Sequence, residues 1–262
     1  MKNDLLKAIK DSENLSDESM AIVAKAMPAA QQMKGDPATA IGTSRRIFLG
    51  MLIDYTPSMN VPSKIQGVIT GQNAMLDAFE KTNRADKSGL MIGQWFFDEG
   101  RRTINDFLPF VNPPIPIPRL DGQIYTPVNG NGTALYDNLS SLLAACVLMV
   151  METKENLGII ETRTVVAVIT DGQDNRSKVF PSAADLRPLI VDLVEKNKAD
   201  PNQGAIIVYC GITDKAMDEA GHRLIARNLG IDDKRVMIGG VDAKEIRAMF
   251  TLISSKTTGQ AD

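Results

Sequence analysis

Three short stretches carry oxygen-bearing side chains in a pattern that could hold a cation. Asp54-Tyr55-Thr56-Pro57-Ser58 sets a carboxylate and two hydroxyls at alternate positions, so in an extended loop all three converge on one point. Gly132-Thr133-Ala134-Leu135-Tyr136-Asp137 delivers a hydroxyl from a glycine-rich loop to the start of an apolar helical pattern. Ile169-Thr170-Asp171-Gly172 ends an apolar run in a carboxylate and a turn glycine. Two carboxylates plus neutral hydroxyls form an oxygen-only donor set, which suits a hard cation such as Mg2+, or Mn2+ or Ca2+ in its place. Mg2+ takes near-octahedral oxygens at roughly 2.0–2.1 Å and keeps water wherever the protein supplies no ligand. Such a site leaves a position that an acidic side chain of another molecule can fill. Taken singly, Asp54, Asp171 and Thr133 read better as helix caps than as metal ligands; the three stretches together point to a metal.

The elements that must position them follow from periodicity. Ile47 to Ile53, Leu90 to Phe97, Val165 to Thr170, Ala205 to Ile212 and Arg235 to Ile238 are short, nearly continuous apolar runs, the signature of strands buried on both faces of a mostly parallel sheet. Ile104 to Val111 is a weaker candidate. Only Glu99 to Thr103 separates it from its predecessor, which permits a hairpin but no crossover, so it is expected to be an antiparallel edge strand. Helical periods lie between the runs: Ile65 to Phe79, Leu135 to Val150, Leu186 to Val194, and Met217, Ala220, Leu224 and Ile225. A last helix opens at Asp242 with Glu245 three residues on, a capping-box arrangement. This alternation predicts an α/β, Rossmann-like doubly wound fold of about six strands with helices on both faces. In such a sheet the loops after Asp54, before Thr133 and at Asp171 fall on one edge.

Two regions stand outside the alternation. Residues 1–40 read as a helical appendage to a domain spanning 41–262. Asn112 to Gly132 carries Pro113, Pro114, Pro116, Pro118 and Pro127 and ends in Asn129-Gly130-Asn131-Gly132; it reads as a long stiffened loop. Because it runs into Thr133, Ile115, Ile117, Arg119 and Tyr125 are expected to form a partner-binding rim around the cation, on a loop replaceable without loss of folding.

The composition restricts the partners. With 262 residues, 44% hydrophobic, and Lys+Arg 29 against Asp+Glu 32, there is room for one large α/β core but no basic stripe for nucleic acid. Met1 to Lys10 alternates charged and apolar residues, unlike a signal peptide or a spanning helix, so no membrane role and a cytoplasmic location are expected. Cys146 and Cys210 fall in apolar patterns as packing residues. The single histidine, His222, reads as a solvated surface residue on the polar side of its helix.

The three stretches together resemble the metal-ion-dependent adhesion site of von Willebrand factor type A domains. Asp54-Tyr55-Thr56-Pro57-Ser58 is similar to the Asp-x-Ser-x-Ser motif, Gly132 to Asp137 to the second motif, and Thr170-Asp171-Gly172 to the third. The likeness spans about Arg45 to Lys256. It implies Asp54, Thr56, Ser58, Thr133 and Asp171 as metal-site residues, direct or through water, and a non-enzymatic adaptor or assembly module. It also implies a protein partner that supplies an acidic residue, such as an AAA+ ATPase, a kinase or a phosphatase. Thr56 stands where serine is usual and Pro57 where glycine is common; neither change removes an oxygen. The alternative is a metal-dependent hydrolase or phosphatase of haloacid-dehalogenase-like type with Asp54 as nucleophile. That chemistry calls for an aspartate two positions later, where this chain has Thr56.

Overall fold

The chain's centre is β1, Arg45–Asp54, a strand with nine of its ten residues buried. Its side chains divide by alternation: Phe48 and Leu52 enter one core, Ile47, Leu49, Met51 and Ile53 the other, as the two-residue period of a strand requires. A computed structural model of the chain describes residues 2–40, 44–82, 88–127, 130, 132–215 and 217–259. On either side of β1 lie β2, Leu90–Phe97, and β4, Glu161–Thr170, both parallel to it. β3, Arg101–Pro109, pairs antiparallel with β2 at one edge; β5, Ala205–Ile212, and β6, Val236–Gly239, complete the other side. The order is β3-β2-β1-β4-β5-β6, a mostly parallel sheet with the expected antiparallel edge strand.

Helices cover both faces. α3, Pro62–Lys81, and α7, Ala243–Thr258, bring Val68, Met75, Ile246 and Phe250 into the core that holds Leu49, Met51 and Ile53 of β1. α4, Leu135–Leu157, α5, Ala183–Ala199, and α6, Glu219–Leu229, cover the opposite face, where Phe48 and Leu52 point. α4 is the one helix among the described residues long and apolar enough to cross a membrane by length and composition, and 89% of that window is buried inside the protein.

The N-terminal segment is tied to this core. α1, Lys2–Glu13, and α2, Asp17–Ala30, place Ile9, Met20, Val23 and Met27 in the same cluster as α4 and α5. Buried Glu13 receives Lys154 of α4 at 2.7 Å and Lys196 of α5 at 2.6 Å. Asp192 of α5 accepts from the Ser16 backbone N–H and from the Ser16 and Ser19 hydroxyls. Residues 41–43, where the expected domain boundary falls, lie outside the described residues, as do Asn129 and Asn131 of the proline-rich loop.

α6 is rotated from its expected setting. Leu224 is 58% exposed, whereas His222 is fully buried with Ile225, Ala226 and Leu229. His222 turns inward because its ring is satisfied there: Nδ1 lies 2.9 Å from the Tyr209 hydroxyl and Nε2 lies 3.2 Å from the Ile212 carbonyl. A carbonyl only accepts, so Nε2 carries the proton and Nδ1 accepts from Tyr209. Burial lowers the imidazole pKa, against the opposing Ile212 bond. The ring also needs Gly211, where a Cβ would come within 2.5 Å of His222 Cγ. Cys146 and Cys210 are free and buried.

Candidate metal centre

The parallel pairing of β1 with β4 sets Ile53 opposite Ile169, so Asp54 and the Thr170-Asp171 pair leave the sheet side by side. Asp54 is fully buried and Asp171 nearly so. Asp54 Oδ1 accepts the Thr56 backbone N–H at 2.9 Å and the Thr56 hydroxyl at 2.6 Å, and Oδ2 accepts the Thr170 hydroxyl at 2.6 Å. The Ser58 hydroxyl donates to Asp171 Oδ1 at 2.8 Å. Pro57 starts a short 3-10 turn, Pro57–Met59, and its fixed φ suits that first position. The turn leaves Ser58 exposed while Thr56 stays buried.

These contacts form a chain of oxygens from Asp54 through Thr56 and Ser58 to Asp171. The middle link, between the Thr56 and Ser58 hydroxyls, is 2.8 Å. Three links need three protons, and two hydroxyls supply two. With both hydroxyl protons on the carboxylates, two lone-pair-bearing oxygens face each other. A proton on one carboxylate, or a cation among the oxygens, resolves the deficit. Asp54 accordingly has its pKa raised to about 6: burial and repulsion from Asp171 outweigh the bonds from Thr170 and Thr56.

Thr133 joins from the second stretch. It is buried, and the Cβ position of Gly172 lies 3.6 Å from its Oγ1. Its backbone is clasped by the loop after β4: its N–H donates to Asn175 Oδ1 at 2.8 Å, and its carbonyl accepts from the Asn175 and Arg176 backbone N–H groups. Asp137 reciprocates by accepting the Lys178, Val179 and Phe180 N–H groups, and Asp174 accepts the Tyr136 N–H at 2.9 Å. Gly132 permits this closeness, since a Cβ there would sit 2.4 Å from Asn175 Oδ1. All five expected metal-site residues therefore lie at one sheet edge. Among the described residues no group of three or more His, Cys, Asp or Glu side chains is placed to hold a metal, so the hydroxyls are indispensable to any such site here. The donor set is hard and oxygen-only, and it fits a cation of that class.

Two participants escaped the sequence reading. Lys64, in the first turn of α3, is 1% exposed; its ammonium bonds Asp171 Oδ2, Asp214 Oδ2 at 2.7 Å and the Ser58 carbonyl at 3.2 Å. Burial works to lower its pKa, but the bonds and charges of Asp171 and Asp214 leave it raised. Asp214 lies two residues past the end of β5, so a strand-end rule widened to the first loop residues would have found it alongside Asp54 and Asp171. Lys64 gave no such signal, because a lysine in a first helical turn is ordinarily solvated.

The expected rim is not around this site. Tyr125 is fully buried and donates its hydroxyl to the Asp54 carbonyl at 2.7 Å, within an aromatic cluster with Tyr55 and Phe96. It supports the end of β1 from beneath. Arg119 pairs with Asp77 and Glu80 at 2.8 Å each. Glu80 lies 16 residues along α3 from Lys64, roughly 24 Å away at 1.5 Å per residue. Ile117 is half-buried in a groove of about 650 Å³ with Leu76 and Phe110, and only Ile115 of the four is an exposed apolar residue, at 58%. The loop folds back along α3 because Gln72 and Asn73 donate to the Pro118 and Leu120 carbonyls at 3.0 and 2.9 Å.

No family model and no curated protein matches the sequence. Solved structures do. The pilus adhesin SpaC from Lactobacillus rhamnosus GG, in its open conformation, aligns over 87% of this chain and 31% of its own, with 10% identity and a TM-score of 0.51. Proximal thread matrix protein 1 from the mussel byssus aligns over 83% of this chain and 48% of its own, with 15% identity and a TM-score of 0.46. The ArnB paralog VWA2 from Sulfolobus acidocaldarius aligns over 80% and 44%, with 14% identity and a TM-score of 0.43. The chain thus spans about half the length of the mussel protein and less of SpaC. At these identities the likeness concerns architecture alone, and it agrees with the sheet order and strand-end loops described above: the chain has a Rossmann-like α/β fold with a mostly parallel six-stranded sheet.

Proposed function

We propose that the chain is a protein-binding module whose contact is completed by a divalent cation held at Asp54, Thr56, Ser58, Thr133 and Asp171. The proton deficit along the Asp54-Thr56-Ser58-Asp171 chain carries this reading. Above the Asp54 pKa the four oxygens repel, and Mg2+ or Mn2+ replaces the missing proton with a charge that all four can share. Ser58 is exposed with Pro57 and Val61 beside it, so a cation bound there faces solvent on one side. An acidic side chain of a partner protein is the hard, anionic oxygen donor that fits the remaining position. The hydrolase reading is less well supported, because Thr56 stands where that chemistry calls for a second aspartate and the one histidine, His222, is buried against Tyr209 and the Ile212 carbonyl rather than placed as an acid or base at Asp54.

The experiment is thermal unfolding in EDTA against Mg2+ and Mn2+, followed by capture of partner protein with and without the metal. A ligand of the native state alone adds about 2.7 kcal/mol at 100 times its dissociation constant. Asp54→Ala should abolish the increment, and a melting temperature indifferent to both metals would remove the basis for the reading.

A further inference from the structure

We propose that Lys64 is a built-in competitor for the metal site, a positioning residue that holds Asp171 and sets the affinity for the cation. The inference rests on the metal reading above. Lys64 takes Asp171 Oδ2, and Ser58 takes Oδ1; a cation must share this carboxylate with a positive charge that is already in place. That ammonium cannot swing away freely, because Asp214 and the Ser58 carbonyl hold its other protons. Its three acceptors come from the loops after β1, β4 and β5. The ammonium therefore gathers the three loops before any metal arrives, and it lessens the negative potential that attracts one. A buried lysine with a purely structural role would stabilise the fold without opposing the metal; a competitor does both.

The test measures Mn2+ binding by electron paramagnetic resonance of the free ion, alongside metal-free melting temperatures, for the wild type, Lys64→Met and Lys64→Gln. Either variant should bind Mn2+ at least about 10-fold tighter while melting lower in EDTA, since removing the ammonium frees Asp171 and leaves Asp214 without that partner. Unchanged or weaker Mn2+ binding by a folded Lys64 variant overturns the proposal while leaving the metal site standing. Binding by a variant but not by the wild type supports it in its strongest form. Absence of Mn2+ binding in all three, with each folded, overturns both this proposal and the metal reading. Should neither Lys64 variant fold, Asp214→Asn decides: with the ammonium given over to Asp171, Mn2+ binding should weaken at least about threefold, and unchanged binding would sink the idea.

Discussion

Replacing Asp54 by asparagine should make the metal-free protein more stable at neutral pH. Burial and Asp171 raise the Asp54 pKa from 3.8 to about 6. At about 1.4 kcal/mol per unit, keeping the carboxylate ionised costs the fold about 3 kcal/mol at pH 7. The folded state binds the proton more tightly than the unfolded state, so the Asp54 contribution to stability is greatest below about pH 4, falls as pH rises to about 6, and then levels off. Asparagine has no such slope. Its carbonyl can accept from Thr56 as Oδ1 does, but its NH2 group must face Thr170 Oγ1, 2.6 Å from the present oxygen, and rearranging that bond costs about 1 kcal/mol. In EDTA at about pH 7.5, Asp54→Asn should therefore gain about 2 kcal/mol, or roughly 4–8 °C in Tm for a domain of this size. Near pH 4 the gain should vanish or reverse. Circular dichroism melts across this range provide the assay, repeated with Mn2+, whose stabilising increment the variant should lack. A variant no more stable than wild type at pH 7.5, with a difference that does not change with pH, would refute the reasoning.

Other expectations are simpler to state. Thr56→Ser should keep Mn2+ affinity and Thr56→Val should lose it, as calorimetry can measure; equal affinities would make Thr56 a packing residue. Tyr125→Phe deletes one buried hydrogen bond to the Asp54 carbonyl and should cost about 1–2 kcal/mol in chemical denaturation, with the ring cluster kept. Replacing residues 112–127 by a Gly/Ser connector should destabilise the fold severely, contrary to expectation from sequence, because Leu120 and Tyr125 are core residues; a cooperative melt near the wild-type temperature would contradict this.

The strands were legible because burial on both faces leaves no polar interruption: β2 and β5 begin and end at the residues their apolar runs mark. β1 and β4 extend further toward their N-termini, through Arg45-Arg46 and Glu161 to Thr164, where polar side chains hide a continuing ladder. That Asp54, Thr56, Ser58 and Asp171 gather at one sheet edge was legible because they follow the ends of β1 and β4. Tyr125 was not, since a tyrosine in a proline-rich loop gives no sign that its hydroxyl will find a β1 carbonyl. His222 and Leu224 exchanged places for a similar reason: Tyr209 and Ile212 supply partners for an imidazole that periodicity treats only as polar. Lys64 needed Asp214 and Asp171, more than a hundred residues away, to explain its burial.

The docking of α1 and α2 on α4 and α5 bears on how the chain emerges during synthesis. The covering helices are made first, and the surfaces they cover follow on the order of a hundred residues later, a delay of roughly 5–20 s at ordinary elongation rates. Helices of 12 and 14 residues are marginal alone in water, so Ile9, Val23 and Met27 wait without a partner while translation continues. On a crowded message, two nascent copies present the same helices to the same vacant groove. Exchange of α1 and α2 between copies is the misassembly that this order of synthesis favours, and a chaperone that shields the segment during those seconds acts against it.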